Sequence, residues 1–366
     1  MTSKARGLAN LGNAYDDGAL SNRNLIINGA MQVAQRGTSE TGVTTSGYKN
    51  ACDRYRCNGN NGTWTISQDT DAPEGFSNSF KMLLTATEVL GNIDYWAVEQ
   101  KIEGQNLQHL KYGTASAQSV TLSFWVKSNV TGTYCANLYQ DDGASNYPVT
   151  YTIDAADTWE YKTIVYDGNT VTSLDNDNAS SLRATFFVLA GSDYTSGATG
   201  SRTAYANATF AAGHAVNVGS AVNNYFQITG VQLEVGDTAT PFEHRSYGDE
   251  LARCQRYYYR MTSTALYGRY GLGENTSTSG MQFPVVFSPI LRATPSFSYG
   301  GALSAYRIYH KSGFYGVNSI TIDSQATPKI AMVNFGSSST GLTSGGASQG
   351  ISYNSLDTYL EFDAEL

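Results

Sequence analysis

Between Val120 and Lys127 every second side chain is apolar: Val120, Leu122, Phe124 and Val126 alternate with Thr121, Ser123, Trp125 and Lys127. A repeat of two residues places one set on each side of an extended chain, so the segment reads as a half-buried antiparallel strand. Comparable segments are Trp64–Ser67, Phe80–Leu84, Tyr95–Ile102, Thr133–Tyr139, Trp159–Tyr166, Ala184–Ala190, Tyr205–Phe210 and Tyr225–Val235. Turn clusters such as Asn58-Gly59-Asn60, Asp141-Asp142-Gly143 and Asp167-Gly168-Asn169 punctuate the series, with side chains that favour tight reversals. Many short strands and no long helix predict an all-β chain whose first domain is a two-sheet jelly-roll sandwich. In the last segment Phe226 and Ile228 share one parity, and Val231, Leu233 and Val235 take the other. Gly230 stands at the switch, which predicts a bulge.

One stretch breaks the pattern. From Gly248 to Tyr258 acids come first and arginines later, the order that suits a helix dipole, and Leu251, Cys254 and Tyr258 recur at helical spacing. A connector helix over residues 247–261 would separate a jelly roll at 23–246 from a second, smaller β domain at 262–366. In that domain Met281–Phe287, Ser296–Gly300, Tyr306–Tyr309, Ser319–Ile322 and Lys329–Val333 read as strands. Ser337–Gly350 reads as a Gly/Ser-rich loop, and the alternation of Leu360, Phe362, Ala364 and Leu366 closes the chain with a strand. Residues 1–22 read as an extended arm or a weak helix, not as a domain.

Composition excludes several function classes. Only 15% of residues are charged, so the surface draws on Ser, Thr, Asn, Gln, Gly and the 26 tyrosines. The net charge is −8 with no basic block, which argues against a nucleic-acid partner. No run reaches the length of a bilayer span, and Met1 to Leu20 lacks the apolar core of a signal peptide. The Cys52–Cys57 spacing could host a disulfide or half a zinc site, but no second Cys or His pair completes a metal site, so free thiols are expected ahead of zinc. Leu174-Asp175-Asn176-Asp177-Asn178 clusters oxygens but lacks the remaining calcium ligands, and reads as a solvated turn. A nucleophile elbow, a phosphate loop, a zinc helix and a dinucleotide fingerprint are all missing. No catalytic residues and no cofactor are assigned.

Two stretches carry a resemblance. Asn22-Arg23-Asn24-Leu25-Ile26-Ile27-Asn28-Gly29-Ala30-Met31-Gln32-Val33-Ala34-Gln35-Arg36-Gly37 is the first. The second is Gly230-Val231-Gln232-Leu233-Glu234-Val235-Gly236 through Pro241-Phe242-Glu243-His244-Arg245 to Tyr258. Both resemble tail-fibre and virion structural proteins of tailed phages and prophages. Val98–Gly104 and Val120–Ser128 are similar to core strands of carbohydrate-binding modules. The resemblance implies a subunit of the virion with a homotrimeric habit, made without a signal peptide, and hands over no catalytic residues. Residues 1–22 would meet phage tail or capsid proteins, and the domain at 262–366 would be the tip that meets a host-surface glycan or protein. A capsid-decorating or head-fibre protein and a polysaccharide depolymerase are the alternatives.

Sugar contact needs a flat ring exposed beside polar groups. Trp125, on the polar face of its strand, is the leading candidate. Tyr139, on the polar parity of its own strand, and Trp159, at the start of another, are the others.

Overall fold

The computed structural model describes residues 22–311 and 313–366. The predicted arm, apart from Asn22, lies outside the described residues. The chain divides into two compact units, Met1–Glu250 and Leu251–Leu366. Antiparallel strands build both, and no helix among the described residues is long and apolar enough to cross a membrane.

The first unit is a sandwich. One sheet has six strands in the order Ser39–Val43, Thr63–Asp69, Ser79–Ala86, Tyr225–Val235, Val120–Ser128, Glu160–Tyr166. The other runs Thr203–Ala204, Ser145–Asn146, Gly132–Gln140, Ser180–Ala190, Tyr95–Glu103, Arg56–Gly59, Gly47–Tyr48, with Pro148–Ile153 also paired to Gly132–Gln140. From Ser79 to Gln140 successive long strands alternate between the sheets, the jelly-roll arrangement. Val120, Leu122, Phe124 and Val126 all face the core, as their alternation predicts. Rings meet across the two layers: Trp64 with Trp96 at 6.1 Å, Phe124 with Phe186 at 5.0 Å and Tyr134 with Phe226 at 5.9 Å. Both core indoles donate to the Asn61 carbonyl, which satisfies their buried N–H groups.

The outer face of the eight-stranded sheet is roofed by residues 191–214. Phe210 packs on Tyr95 at 5.4 Å and on Phe187 at 5.0 Å. This corrects the strand predicted over Tyr205–Phe210: a two-residue strand, Thr203–Ala204, is followed by a short 3-10 turn at Asn207–Thr209. Asn146 holds that turn by donating to Thr209 Oγ1 at 2.9 Å, so its aromatics point down onto a sheet instead of extending one.

His214 ends this roof, buried, with Nδ1 accepting the Cys135 N–H at 3.2 Å. Burial lowers its pKa from 6.5 to about 4. Below pH 6.5 the unfolded chain takes up a proton that the folded chain refuses, so stability falls as pH falls. The expected loss between about pH 7.5 and 5 is roughly 2 kcal/mol. Thermal melts across that range measure it, and His214→Gln should flatten the dependence.

The two ends of the unit are clasped together. Leu25 N–H donates to Leu233 O at 2.8 Å, and Val231 N–H to Gly29 O at 2.9 Å. A Cβ on Gly29 would lie 2.1 Å from Val231 O, so only glycine permits this approach. Buried Asn24 takes the N–H groups of Ile26 and Leu233 and donates to Val231 O. Buried Asn28, at φ +60°, accepts from Val33 N–H and donates to Val33 O and Asp53 O. Asparagine tolerates that left-handed conformation because its side chain bonds locally. Arg245 completes the clasp by donating to Asn24 O at 2.5 Å and pairing with Glu243 at 2.9 Å and Glu250 at 3.5 Å. The two sequence stretches that carry the resemblance are thus one hydrogen-bonded structure.

The acid-to-base stretch forms a helix, Tyr247–Gln255. It is shorter than the predicted 247–261, because Tyr258–Thr262 already pairs as a strand with Tyr359–Asp363. Ser296–Gly300 completes that three-stranded sheet. The rest of the second unit is a closed barrel of Arg269–Asn275, Gly280–Val286, Ile330–Ser337, Gly313–Ile322, Tyr306–His310 and Ala347–Ser352. Closure removes open edges. The last of these strands corrects the loop predicted through Gly350: Gly350 and Gly271 sit where a Cβ would crowd Phe283, so the glycines there serve packing.

All four cysteines are buried, and they form no disulfide with one another. Burial pushes the Cys57 thiol up to about 12, away from reactivity. No group of three or more potential metal ligands occurs among the described residues. Asp177 Oδ1 accepts the N–H of Ala179 at 2.9 Å.

Candidate functional site

The outer face of the six-stranded sheet carries a groove of about 560 Å³. Trp125 and Ser123 rise into it from one strand. Tyr161 stands directly opposite Trp125 on the next, with ring centroids 5.4 Å apart, and is 45% exposed. Phe76 comes from the turn-rich loop before Ser79 and packs on Phe242 at 5.0 Å and His244 at 5.3 Å. The groove therefore lies between a Trp–Tyr wall and a Phe–Phe–His wall, with Glu74 and Thr240 as polar lining.

The second wall is strapped down by the strand beneath it. Glu234, buried on the outer face, accepts from Thr240 N–H at 2.8 Å and Thr240 Oγ1 at 2.6 Å. Gln232 accepts from Glu243 N–H at 2.8 Å. These bonds hold Pro241 and Phe242 across the sheet, and two buried polar side chains gain partners.

Between the walls sits Gly230, at φ +60°, where the register with Val120–Ser128 slips. The bulge falls where the change of parity placed it. A Cβ there would approach Phe76 Cζ to 2.7 Å and Trp125 Cδ1 to 3.0 Å. Gly230→Ala is expected to narrow the groove and destabilise the unit by roughly 1–2 kcal/mol, through strained backbone and crowded rings. Urea denaturation measures this; an unchanged midpoint would mean that the rings swing aside freely.

Beside the groove Asp71 accepts from Lys127 Nζ at 2.7 Å and from Trp159 Nε1 at 3.2 Å. Partial burial pushes the Asp71 carboxyl up, but these hydrogen bonds outweigh it and the net direction is downward. The Lys127 ammonium also lies over the Trp159 ring at 5.9 Å. Trp159 thus flanks the groove, fixed by the Asp71–Lys127 pair.

The three candidate rings do not converge. Trp125 lines the groove and Trp159 stands beside it. Tyr139 belongs to the other sheet, where the Arg183 guanidinium covers its ring at 5.0 Å and Tyr205 abuts it at 5.9 Å. Sequence reasoning missed Phe76, Tyr161, Phe242 and His244. Tyr161 shared the parity of Trp159. Phe76 is an aromatic stranded in a polar turn, and Phe242 and His244 lie in a stretch singled out only for its resemblance.

A second recess of about 460 Å³ lies among the loops around Gly143, Asn169 and Gly200. Its aromatic lining residue, Tyr147, is buried and lies 5.4 Å from the Arg202 guanidinium, which also sits over the buried Tyr112 at 5.7 Å. The groove, by contrast, is lined by the half-buried Trp125 and the exposed Tyr161 beside hydroxyl and carboxylate groups. That combination suits a ligand apolar on one face and hydroxylated at its edge.

No protein-family model matches the chain, and no curated protein does. Solved structures do align, with low identity. The enzymatically active domain of tailspike protein 4 from bacteriophage CBA120 aligns over 58% of this chain and 22% of its own, at 13% identity and a TM-score of 0.33. The C-terminal family 22 carbohydrate-binding module of Clostridium thermocellum Xyn10B aligns over 60% and 99%, at 9% identity and 0.32. TmCBM61 in complex with β-1,4-galactotriose aligns over 58% and 99%, at 10% identity and 0.28.

Proposed function

We propose that the first unit is a non-catalytic glycan-binding module, with Trp125 and Tyr161 as the platform on which a sugar ring stacks. The observation that carries this reading is the open Trp125–Tyr161 pair, facing a second aromatic wall across a groove large enough for a short oligosaccharide. Ser123, Thr240 and Glu74 would meet the sugar hydroxyls. Glu74 at the lining favours a neutral glycan over an anionic one.

The wider role is a virion appendage subunit that attaches to the host surface, homotrimeric, joined to phage tail or capsid proteins through residues 1–22. It rests on the two stretches that resemble tailed-phage structural proteins. Affinity electrophoresis of the full chain through gels containing neutral host-surface polysaccharide tests the binding. Retardation that Trp125→Ala abolishes supports the module; release of reducing sugar from the same polymer would replace it with a depolymerase.

A further inference from the structure

A second aromatic recess lies on the barrel of the unit Leu251–Leu366, and its chemistry differs from that of the groove. Strand register builds it. Phe314, Tyr309 and Gln349 face one another across three strands. In the next row Gly316, Arg307, Ile351 and Arg269 do so across four. Residues directly opposite in antiparallel strands point to the same side, so both rows share the outer wall. Tyr267 and Tyr353, just outside the strands, close over them. Tyr267 stands 5.5 Å from Tyr353 and 6.3 Å from Phe314. Tyr267 is 51% and Phe314 49% exposed, an unusual cost for two neighbouring rings that serve no core.

The recess they form measures about 170 Å³. That is below the roughly 300 Å³ of ordinary ligand pockets, and fits one ring rather than a chain. Its charge is positive in a protein whose net charge is −8. Arg307 lies 4.4 Å over the Tyr353 ring and is held there by the carbonyls of Ser304 and Tyr306. Arg269 donates Nε–H to Gln349 Oε1 at 2.5 Å, which fixes its plane. Its two terminal nitrogens make no hydrogen bond or ion pair among the described residues.

We propose that this recess binds one carboxylate-bearing sugar residue, such as a hexuronate or a sialic-type acid, of a surface glycan. The C–H face of the sugar ring lies against Tyr267 and Phe314. Its carboxylate takes both terminal N–H groups of Arg269, the two-pronged geometry that a guanidinium offers and an ammonium does not. The site is independent of the neutral groove built on Trp125.

Saturation-transfer NMR on the full chain tests it, with matched methyl glycosides of glucuronate and glucose, galacturonate and galactose, and with N-acetylneuraminate. One acid is expected to bind at least about tenfold more tightly than the neutral sugars, and more weakly as salt rises. Arg269→Gln should erase the preference, Arg269→Lys should keep only part of it, and Tyr267→Ala and Phe314→Ala should each remove the transfer to the acid while leaving any transfer to neutral sugar at the Trp125 groove. All three positions are at the surface, and melting curves check that the variants fold. Trp125→Ala should leave acid binding intact. The proposal is overturned if no acid is preferred, if Arg269→Gln leaves the preference in place, or if Trp125→Ala abolishes it.

Discussion

Trp125→Ala is expected to weaken binding of neutral glycan by about tenfold or more, with little change in thermal stability. The side chain is on the solvent side of its strand, between Tyr161 and the Phe76 wall, so no core contact across the sandwich is lost. What is lost is a large flat surface held rigid by its neighbours, the kind of anchor that dominates binding energy. Tyr161→Ala should cost less, because that ring is freer and only half of the platform. Titration calorimetry separates the two. A Trp125→Ala chain that binds normally but changes its oligomeric state would mean that the groove is covered by another copy of the chain.

Arg245→Met is expected to destabilise the first unit by about 3–5 kcal/mol, the range for stripping one partner from a buried ion pair. Its side chain is 7% exposed and lies between Glu243 and Glu250, whose side chains are 13% and 10% exposed. Methionine fills the volume but leaves two carboxylates facing each other without a counter-charge. It also removes the donors to Asn24 O and Ile26 O, so the end of strand Tyr225–Val235 and the segment around Asn24 lose their tie. Glu243 supplies an independent check. Burial pushes its carboxyl up, but Asn24 N–H, the Arg245 guanidinium and Arg23 N–H together pull it below the ordinary 4.5. That contribution is present above 4.5 and is lost as pH falls through the folded value. Urea denaturation of both chains at neutral pH and at about pH 4 should show the gap between them narrowing on acidification.

Much of the sandwich was legible because a half-buried strand writes its own alternation. Val120–Lys127 and Tyr225–Val235 needed nothing else, and even the bulge at Gly230 followed from a change of parity. Arg56–Gly59, Pro148–Ile153 and Arg269–Asn275 were not legible. They are short, polar or glycine-bearing, and they are strands because neighbours supply their hydrogen bonds. The barrel was hidden for a related reason: closure is a property of which strands pair, and alternation says nothing about partners. Trp125 could be singled out as a large ring on the wrong face. Its opposite wall could not, since Phe76 and Phe242 are brought there by a loop and by a strap held through Gln232 and Glu234. The clasp was visible only as two familiar-looking stretches. That Asn24, Asn28 and Arg245 join them is a fact of three dimensions.

The central claim is that the Trp125–Tyr161 groove holds a neutral sugar. The most direct test is a crystal of the full chain soaked with the neutral oligosaccharide that it binds best. A pyranose ring stacked on Trp125, with hydroxyls toward Ser123, Thr240 or Glu74, is the predicted result. Sugar density elsewhere, with an empty groove, would contradict it.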